Sequence, residues 1–582
     1  MKKMLAGGMS IKAEIAVVVL FTLLLTLPFI NRPFHMDDAG FLELARARQT
    51  DPTALTLTDY TFFGQENELF LDTHPPLISS YLAFLINLAG AESEPVLHAG
   101  FLAFPLIAAV AMYFLARRYT NYAMLAAMLL MATPGMMVMS HGLMSDVPGV
   151  AFWLSGVTLY VYGLQRRSQG MMALCGLVIT IGVFTSYQVL SVIPLLLAYV
   201  VLRRKLSLLS ILPFALPISA FLSYAVWHLA VIGDLPRFSY GVGEPMAWHS
   251  IVQKGASATM IVAGAVIFIG VVMRVLLARK WDFTVYQFLL APLWVAILFQ
   301  YFYGGYGTAA AVMTIVLMPL GMLMLYRLFA DAWSRIRQAW QFGRERPAED
   351  LLLVLWLAGV LFYVTVILPY ASVRYLLPLF PPLILFFIRL AGERFSQSPE
   401  VLRNILWTGV FTTAVMGLLL ASADYHLASV NKEFAGRDAA GIGMETAAGG
   451  GRLWYVGEFG FRYYMEQQGF TQLPEDTEVP AGDVIIQSPL ADPRLFSDEL
   501  KDKVKLVETI SYGSVLPIRV TSFAAHAGFY GHFWGLLPFS LASGNVEEFL
   551  VYEVVPPQKG HIESLLDRLS GKRESSLEVE NG

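Results

Sequence analysis

The sequence is poor in charged residues and has almost no cysteine. Charged side chains make up 14% of its 582 residues, whereas 56% are hydrophobic. A soluble globular protein carries about 25% charged residues, so this composition indicates a polytopic α-helical membrane protein. The single cysteine, Cys175, lies in an apolar run, which excludes an intrachain disulfide and a zinc cluster of cysteines. The sequence also lacks internal repeats and low-complexity segments.

Long apolar runs are what the chain has in abundance. The first, Ile11–Ile30, follows a lysine-rich start as in a signal peptide, but no small-residue cleavage site precedes Asn31. A run of about 20 apolar residues is long enough to cross a bilayer, so we expect an uncleaved first span. About thirteen transmembrane helices are predicted in all, near residues 12–31, 96–116, 120–140, 147–164, 170–186, 188–202, 207–231, 251–277, 284–302, 309–328, 351–369, 376–392 and 404–421.

The basic residues predict which side of the membrane each segment faces. Lysines and arginines stay on the cytoplasmic side, which predicts a cytoplasmic N-terminus and, with an odd number of spans, an outer C-terminal part. The apolar run Leu77–Gly90 is too short to span, so residues 32–95 form one large outer loop with interfacial helices at Asp38–Gln49 and Leu77–Leu88. Before residue 422, the predicted outer segments hold only Arg32, Arg46, Arg48, Arg237, Lys254 and Arg374.

A change of composition predicts two domains. Residues 1–421 form the transmembrane domain, and residues 422–582, which are polar and glycine-rich, form a small extracytoplasmic α/β domain. The aromatic segment Gly528–Leu537 of this second domain either covers a groove or membrane face or belongs to the domain core. Short strands are expected at Leu453–Val456, Asp483–Gln487, Val504–Ile510, Ile518–Phe523 and Phe549–Val554, with a helix near Phe461–Gln468.

An acidic pair directly follows the first span. Asp37 and Asp38 stand where that helix leaves the membrane. Carboxylates cost little free energy in water and far more in lipid, so this boundary is a suitable place for them. The pair is a candidate catalytic site. Alternatively, Asp38 is the cap of a helix that begins there.

Further candidates lie in outer segments that are distant in sequence. Arg374 departs from the charge asymmetry, and its guanidinium either holds a phosphate bidentately or lies at the membrane surface. Tyr370 and Tyr375 flank it, as interfacial tyrosines commonly do. His74, before two prolines, presents an imidazole that can donate to a phosphate or bind a metal. Asp146 is either a functional carboxylate or a helix N-cap.

These groups suit one kind of reaction. A carboxylate takes the proton from an acceptor hydroxyl. An arginine and a histidine stabilise charge on a departing phosphate, and a lipid tail lies between apolar helices. The set therefore favours transfer of a group from a lipid-linked phosphate.

The order of these motifs resembles the GT-C fold, polyprenyl-phosphate-dependent glycosyltransferases. That family includes the protein O-mannosyltransferases and the lipid A aminoarabinose transferase. Its usual acidic pair is Asp-Glu, from which this chain departs at the second position. The segments that carry the resemblance are Asp37-Asp38, His74-Pro75-Pro76-Leu77, Leu115-Ala116-Arg117-Arg118-Tyr119, Ala126–Pro134, Ser145-Asp146-Val147-Pro148 and Arg374-Tyr375-Leu376-Leu377-Pro378.

The resemblance implies an enzyme of the cytoplasmic membrane with its active site outside. It would transfer a sugar, with inversion, from a polyprenyl-monophosphate donor to a hydroxyl of a glycan, lipid or protein. Asp37 would be the general base, and Asp38 would support it. His74 and Arg374 would contact the donor phosphate, while Asp146 would orient the acceptor or a metal.

No metal, cofactor or nucleic-acid partner is predicted. Many family members work without a metal, and Thr73 replaces the metal-site residue of the aminoarabinose enzyme. The main alternative function, a transporter or flippase of a lipid-linked sugar, predicts repeat symmetry and charges at mid-membrane, neither of which the sequence shows. A receptor with a ligand-binding outer domain leaves the first outer loop unexplained.

Overall fold

The computed structural model describes residues 9–51, 61–62, 65–66, 74–233, 235–236, 247–276, 308–342, 347–475 and 477–556. The predicted span at 284–302 lies outside these residues. Parts of the predicted outer loop 32–95 also lie outside them.

Helices make up most of the described chain. Turns of 3₁₀ type at Leu27–Phe29, Tyr187–Ser191, Leu212–Phe214, Leu377–Leu379 and Pro489–Ala491, and π-helical turns at Tyr363–Ile367 and Ala435–Ala439, adjoin some of them. In chain order the α-helices are α1 Ile11–Thr26, α2 Asp38–Thr50, α3 Pro76–Ala89, α4 Glu94–Phe101, α5 Ala103–Ala116, α6 Ala123–Ala132, α7 Pro134–Met139, α8 Asp146–Arg166, α9 Gln169–Thr185, α10 Val192–Leu202, α11 Leu208–Ile211, α12 Ala215–Ile232, α13 Trp248–Gly264, α14 Ile269–Leu276, α15 Thr308–Phe342, α16 Pro347–Phe362, α17 Val373–Leu376, α18 Phe380–Arg394, α19 Pro399–Phe434, α20 Ala440–Ala448, α21 Phe459–Gln467 and α22 Asp498–Lys501.

Eight helical segments of the described chain are long and apolar enough to cross a membrane, which identifies an integral membrane protein. Four shorter apolar helical segments, of 10–17 residues, accompany them. The predicted number of thirteen spans stays a prediction. The eight segments are Ile11–Phe29, Glu94–Ala116, Asp146–Arg166, Leu208–Val231, Thr308–Arg337, Glu349–Ile367, Val373–Arg394 and Pro399–Ala448.

The predicted span at 120–140 is broken into α6 and α7 by Pro134. Proline has no amide proton for a helical hydrogen bond, and it forces the preceding residue into an extended conformation. Thr133 accordingly has φ −58° and ψ 137°, and its side chain caps α7 by accepting a hydrogen bond from the Met136 amide. The break frees the Gly135 amide, which donates to the Ala265 carbonyl at 3.1 Å.

The two helices predicted in the first outer loop are confirmed as α2 and α3, with ends shifted by one residue. Helix α3 begins at Pro76, where a missing amide proton costs nothing, and it is followed by Gly90 with φ 74°. The Arg48 side chain of α2 donates to the Ser79 hydroxyl of α3 at 2.6 Å. This contact holds the two helices side by side.

The chain divides into two compact units. The helical unit comprises Met1–Thr58, Glu68–Ala428 and Ser514–Gly544, and the sheet unit comprises the remaining residues. This division differs from the predicted boundary at residue 421. Helix α19 continues to Phe434, and Ser514–Gly544 belongs to the helical unit because its backbone hydrogen-bonds with Ala371 and Val373 there.

In chain order, the strands that the structure describes are β1 Thr61–Phe62, β2 Gln65–Glu66, β3 Leu453–Val456, β4 Thr471–Gln472, β5 Val484–Gln487, β6 Val504–Gly513, β7 Ile518–Arg519, β8 Thr521–Ser522, β9 Ala527–Gly528, β10 Ser540–Leu541 and β11 Asn545–Val554.

The sheet unit contains a mixed five-stranded sheet of order β4-β3-β5-β11-β6. Strand β3 runs parallel to β4 and β5, whereas β11 is antiparallel to β5 and β6. Trp454, Ile485 and Val554 lie in its core. The strands and the helix predicted after residue 421 all overlap observed elements.

Helices α13 and α15 of the helical unit pack closely together at Gly321. A Cβ atom at this position would lie 2.0 Å from the Thr259 carbonyl oxygen, whereas a Cβ at Gly255 of α13 would meet nothing within 4 Å. Gly321→Ala is expected to destabilise the detergent-purified protein by about 1–3 kcal/mol, seen as a lower melting temperature. Gly255→Ala is expected to leave that temperature unchanged or slightly higher, because alanine favours helices. Equal melting temperatures for the two variants would contradict this close packing.

Candidate functional site

The acidic pair lies in the turn between α1 and α2. Met36 has a left-handed backbone conformation, with φ 48°, immediately before the pair. Asp37 occupies the N-cap position of α2, yet its side chain makes no capping hydrogen bond. The Asp38 carboxylate accepts hydrogen bonds from the His35 amide at 3.0 Å and the Leu143 amide at 2.7 Å. The helix-cap alternative therefore does not hold, and the two carboxylates have different partners.

Asp37 pairs with Arg374, which lies 337 residues further along the chain. Arg374 Nη1 donates to Asp37 Oδ2, and the two side chains are 10% and 13% exposed. Charges removed from water remain stable when they are paired and hydrogen-bonded. Two residues that the sequence marks as candidates therefore meet in one site.

Two tyrosines complete the surroundings of Arg374. Its Nη2 atom donates to the Tyr370 hydroxyl and, at 3.0 Å, to the Tyr375 hydroxyl, and these hydroxyls lie 2.9 Å apart. The guanidinium carbon also lies 4.8 Å from the centroid of the Tyr375 ring, a cation–π distance. Both tyrosines therefore hold the arginine in place, which goes beyond an ordinary interfacial position.

Asp146 is the first residue of α8, one position after the N-cap residue Ser145. The structure therefore does not place it as the predicted N-cap. Its charge interacts with those of Arg374 and Asp37. The candidate carboxylate belongs to the same electrostatic site.

His74 lies just before α3, with its ring edge-on to the Phe41 ring at 4.8 Å between centroids. Phe41 is in the first turn of α2, and its amide donates to the Asp37 carbonyl at 3.0 Å. The structure therefore places His74 against the helix that begins at the acidic pair.

A second group of buried charges lies behind the acidic pair, and sequence reasoning missed it. The Arg32 guanidinium is 2.9 Å from Asp424. The Tyr530 hydroxyl donates to Asp424 at 2.8 Å and accepts from Arg32 at 3.2 Å. Arg32 also donates to the His141 carbonyl at 3.0 Å. Two signals were present in the sequence: an outer arginine, and an acidic residue at the end of the last apolar run.

Burial changes the protonation of the groups around Arg32. It raises the pKa of Asp38 to about 6, although the charge of Arg32 opposes this rise. Burial and the charge of Arg32 both lower the pKa of His35 and of His141 well below the usual value. Both imidazoles are therefore neutral at pH 7, and Arg32 is the fixed positive charge of this group.

An apolar cavity of about 260 Å³ lies near the segment Tyr370–Tyr375, called here the arginine segment. Trp153 and Trp356 line it, with rings stacked at 5.9 Å between centroids. Gln188 also lines it, and its side-chain amide donates to the Tyr375 carbonyl at 3.2 Å. One residue of the cavity lining therefore contacts the residue that follows Arg374, which does not itself line the cavity.

Within the described residues, no group of three or more histidine, cysteine, aspartate or glutamate side chains is arranged to hold a metal ion. Thr73, which bears on the metal prediction, lies outside those residues. The prediction of a metal-free site stays a prediction.

Comparison with known proteins supports the resemblance noted from the motifs. Residues 73–230 match the model of a family described as dolichyl-phosphate-mannose-protein mannosyltransferase. Over those residues the predicted resemblance to the protein O-mannosyltransferases is confirmed. No curated protein matches this chain.

Several solved structures are similar to this chain at low sequence identity. The Archaeoglobus fulgidus oligosaccharyltransferase in complex with Zn and sulfate has a TM-score of 0.48 and 12% identity, over 82% of this chain and 68% of that chain. ArnT from Cupriavidus metallidurans bound to undecaprenyl phosphate has a TM-score of 0.45 and 13% identity, over 82% and 93%. The arabinofuranosyltransferase AftD from Mycobacteria has a TM-score of 0.41 and 13% identity, over 94% and 40%.

The buried carboxyl of Asp38 is expected to make stability depend on pH. Its pKa rises from an ordinary 3.8 to about 6 in the folded protein, so the folded state binds this proton more tightly than the unfolded state. The resulting stabilisation is present below about pH 4 and is lost as the pH rises through about 6. Asp38→Asn cannot ionise, so the melting temperature of the wild type relative to this variant is expected to fall across that range. A difference that stays constant with pH would contradict the raised pKa.

Proposed function

We propose that this chain is a membrane glycosyltransferase that moves a sugar from a polyprenyl-monophosphate donor to an acceptor hydroxyl, with inversion, at the outer face of the membrane. The observation that carries this proposal is the ion pair of Asp37 with Arg374. The segment that carries Arg374 contacts Gln188, one of the residues that line an apolar cavity. The match of residues 73–230 to a mannosyltransferase family, named for a dolichyl-phosphate-linked sugar, supports it.

Asp37 is the general base of the proposed reaction. The acceptor oxygen forms a bond to the anomeric carbon of the sugar while its proton passes to the Asp37 carboxylate. The bond from that carbon to the phosphate oxygen breaks, and the electron pair leaves with the lipid phosphate. Attack from the face opposite the phosphate inverts the configuration at the anomeric carbon.

Arg374 is the cation for the donor phosphate. Its Nη2 atom donates to the Tyr370 and Tyr375 hydroxyls, and its Nη1 atom donates to Asp37. A phosphate and a carboxylate are both oxyanions that bind guanidinium strongly, so the donor competes with Asp37 for this atom. Donor binding then releases the carboxylate to act as a base.

The other candidates have supporting tasks in this proposal. His74 adds a hydrogen bond to the donor phosphate, and Asp146 orients the acceptor hydroxyl. Asp38 supports the base by fixing the turn through its bonds to the His35 and Leu143 amides. No metal takes part in the proposed reaction.

The isoprenoid part of the donor is assigned to the apolar cavity. Trp153, Leu195, Trp356 and Val360 offer an apolar lining. Gln188 of this lining donates to the Tyr375 carbonyl, so a lipid chain in the cavity would bring its phosphate towards the segment that carries Arg374. Burial of an apolar chain against such a lining supplies binding free energy without any effect on the reaction itself.

The sidedness of the protein is also a proposal. The scarcity of lysine and arginine in the predicted outer segments supports a cytoplasmic N-terminus in the cytoplasmic membrane. With thirteen spans, the acidic pair and the sheet unit lie on the outer side. The acceptor then receives its sugar outside the cytoplasm.

Asp37→Asn tests the proposed base. The amide keeps the shape of the side chain but cannot take a proton, so transfer is expected to fall by about 10²- to 10⁴-fold. The measurement is release of free polyprenyl phosphate when the purified protein is incubated with a panel of polyprenyl-phosphate sugars and acceptors.

Asp498→Asn is the matched control, because Asp498 is fully exposed in the sheet unit and pairs with Lys501. This variant is expected to retain wild-type transfer. Wild-type turnover by Asp37→Asn would reject Asp37 as the base. Failure of the wild type to release polyprenyl phosphate from any donor in the panel would reject the donor class.

A further inference from the structure

The loop Gly528–Gly535, called here the bridging loop, contacts both halves of the candidate site. It belongs to the helical unit although the sequence places it far beyond Arg374. It reaches the arginine half through its backbone and the acidic half through the side chain of Tyr530. Neither contact follows from the match of residues 73–230, which ends well before this loop.

On the arginine half, the bridging loop pairs with the segment before Arg374 almost as a strand would. The Val373 amide donates to the Phe529 carbonyl at 3.0 Å. The His532 amide donates to the Ala371 carbonyl at 2.9 Å, and His532 Nδ1 accepts from the Ala371 amide at 3.2 Å. Val373 directly precedes Arg374, so these bonds fix the backbone that carries the guanidinium.

On the acidic half, Tyr530 reaches the buried charges behind the acidic pair. Its hydroxyl bonds to both Asp424 and Arg32. Arg32 donates to the His141 carbonyl. Two residues further on, the Leu143 amide donates to Asp38. A chain of hydrogen bonds therefore leads from the bridging loop to the residue beside the proposed base.

Glycines allow the compact shape of this loop. A Cβ atom at Gly528 would lie 2.1 Å from the Gly535 carbonyl oxygen, and one at Gly535 would lie 2.1 Å from the His526 carbonyl oxygen. Backbone approaches this close admit only glycine. The loop is thus closely folded on itself, and its hydrogen bonds link it to both halves of the site.

We propose that the bridging loop sets the distance between Asp37 and Arg374, with Tyr530 as a positioning residue for the transfer reaction. This inference rests on the proposed function for its effect on catalysis, but its effect on the two halves of the site does not depend on that function. A catalytic geometry displaced by about 1 Å can lose as much as 10²-fold in rate.

Tyr530→Phe tests the inference in the full-length protein. The ring that contacts His35 edge-on at 5.6 Å remains, and Arg32 keeps its pair with Asp424. We expect kcat to fall by about 10- to 100-fold with a smaller change in the KM of the polyprenyl-phosphate sugar, because Arg374 keeps its tyrosine partners while its distance from Asp37 changes.

Tyr160→Phe is the matched control. It removes another buried hydroxyl, which donates to the Ser210 carbonyl at 2.9 Å elsewhere in the helical unit. This variant is expected to keep the wild-type kcat. If the two variants retained the same kcat at equal amounts of folded protein, the positioning of the site by Tyr530 would be refuted.

Hydrogen–deuterium exchange separates this inference from the proposed function. In Tyr530→Phe, exchange is expected to become faster at the amides of His35, Leu143 and Val373, which lie on both halves of the site. In Tyr160→Phe these amides are expected to exchange as in the wild type. Unchanged exchange in Tyr530→Phe would overturn the inference even if transfer is observed. Faster exchange without transfer by the wild type would uphold the structural coupling and reject the proposed function.

Discussion

A carboxylate and a guanidinium that are both nearly removed from water hold the candidate site together. Removal of either charge from water alone is costly, and the pair is stable because both terminal nitrogens of Arg374 have hydrogen-bond partners. Asp37 is the partner of Nη1, and Tyr370 and Tyr375 are the partners of Nη2. Asp37 comes from the turn after the first span and Arg374 from a short helix near the last ones. Their bond therefore joins two segments of the helical unit that are 337 residues apart in sequence.

The neighbouring residues Asp37 and Asp38 serve two different networks. Asp37 faces Arg374, while Asp38 is fully buried and bonds to backbone amides beside Arg32. The left-handed backbone at Met36 lies at the start of this turn. A residue other than glycine adopts such a conformation only where its surroundings enforce it, and functional sites are where such residues collect. This turn therefore carries both Asp37, the proposed base, and Asp38, whose hydrogen bonds fix the turn.

Local signals in the sequence were enough to predict much of this structure. The apolar run Leu77–Gly90 predicted helix α3, and the scarcity of outer arginines marked Arg374. The contacts of Tyr530 were out of reach, because its partner Asp424 lies 106 residues away and no local pattern indicates which tyrosine will meet it. For the same reason the composition boundary at residue 421 separates Ser514–Gly544 from the helices with which it forms one compact unit. Composition predicts whether a segment lies in water or in lipid, but it does not predict which segments pack against it.

The π-helical turn Tyr363–Ile367 makes the length of the chain critical just before the arginine segment. Its wider spacing is seen in the bond from the Leu368 amide to the Tyr363 carbonyl, five residues back. Such a turn holds one residue more than an α-helical turn would. Deletion of a single residue there would restore α-helical spacing and rotate the arginine segment by about 100°. Arg374 would then be displaced from Asp37, so the one extra residue of this turn sets the position of Arg374 relative to the first span.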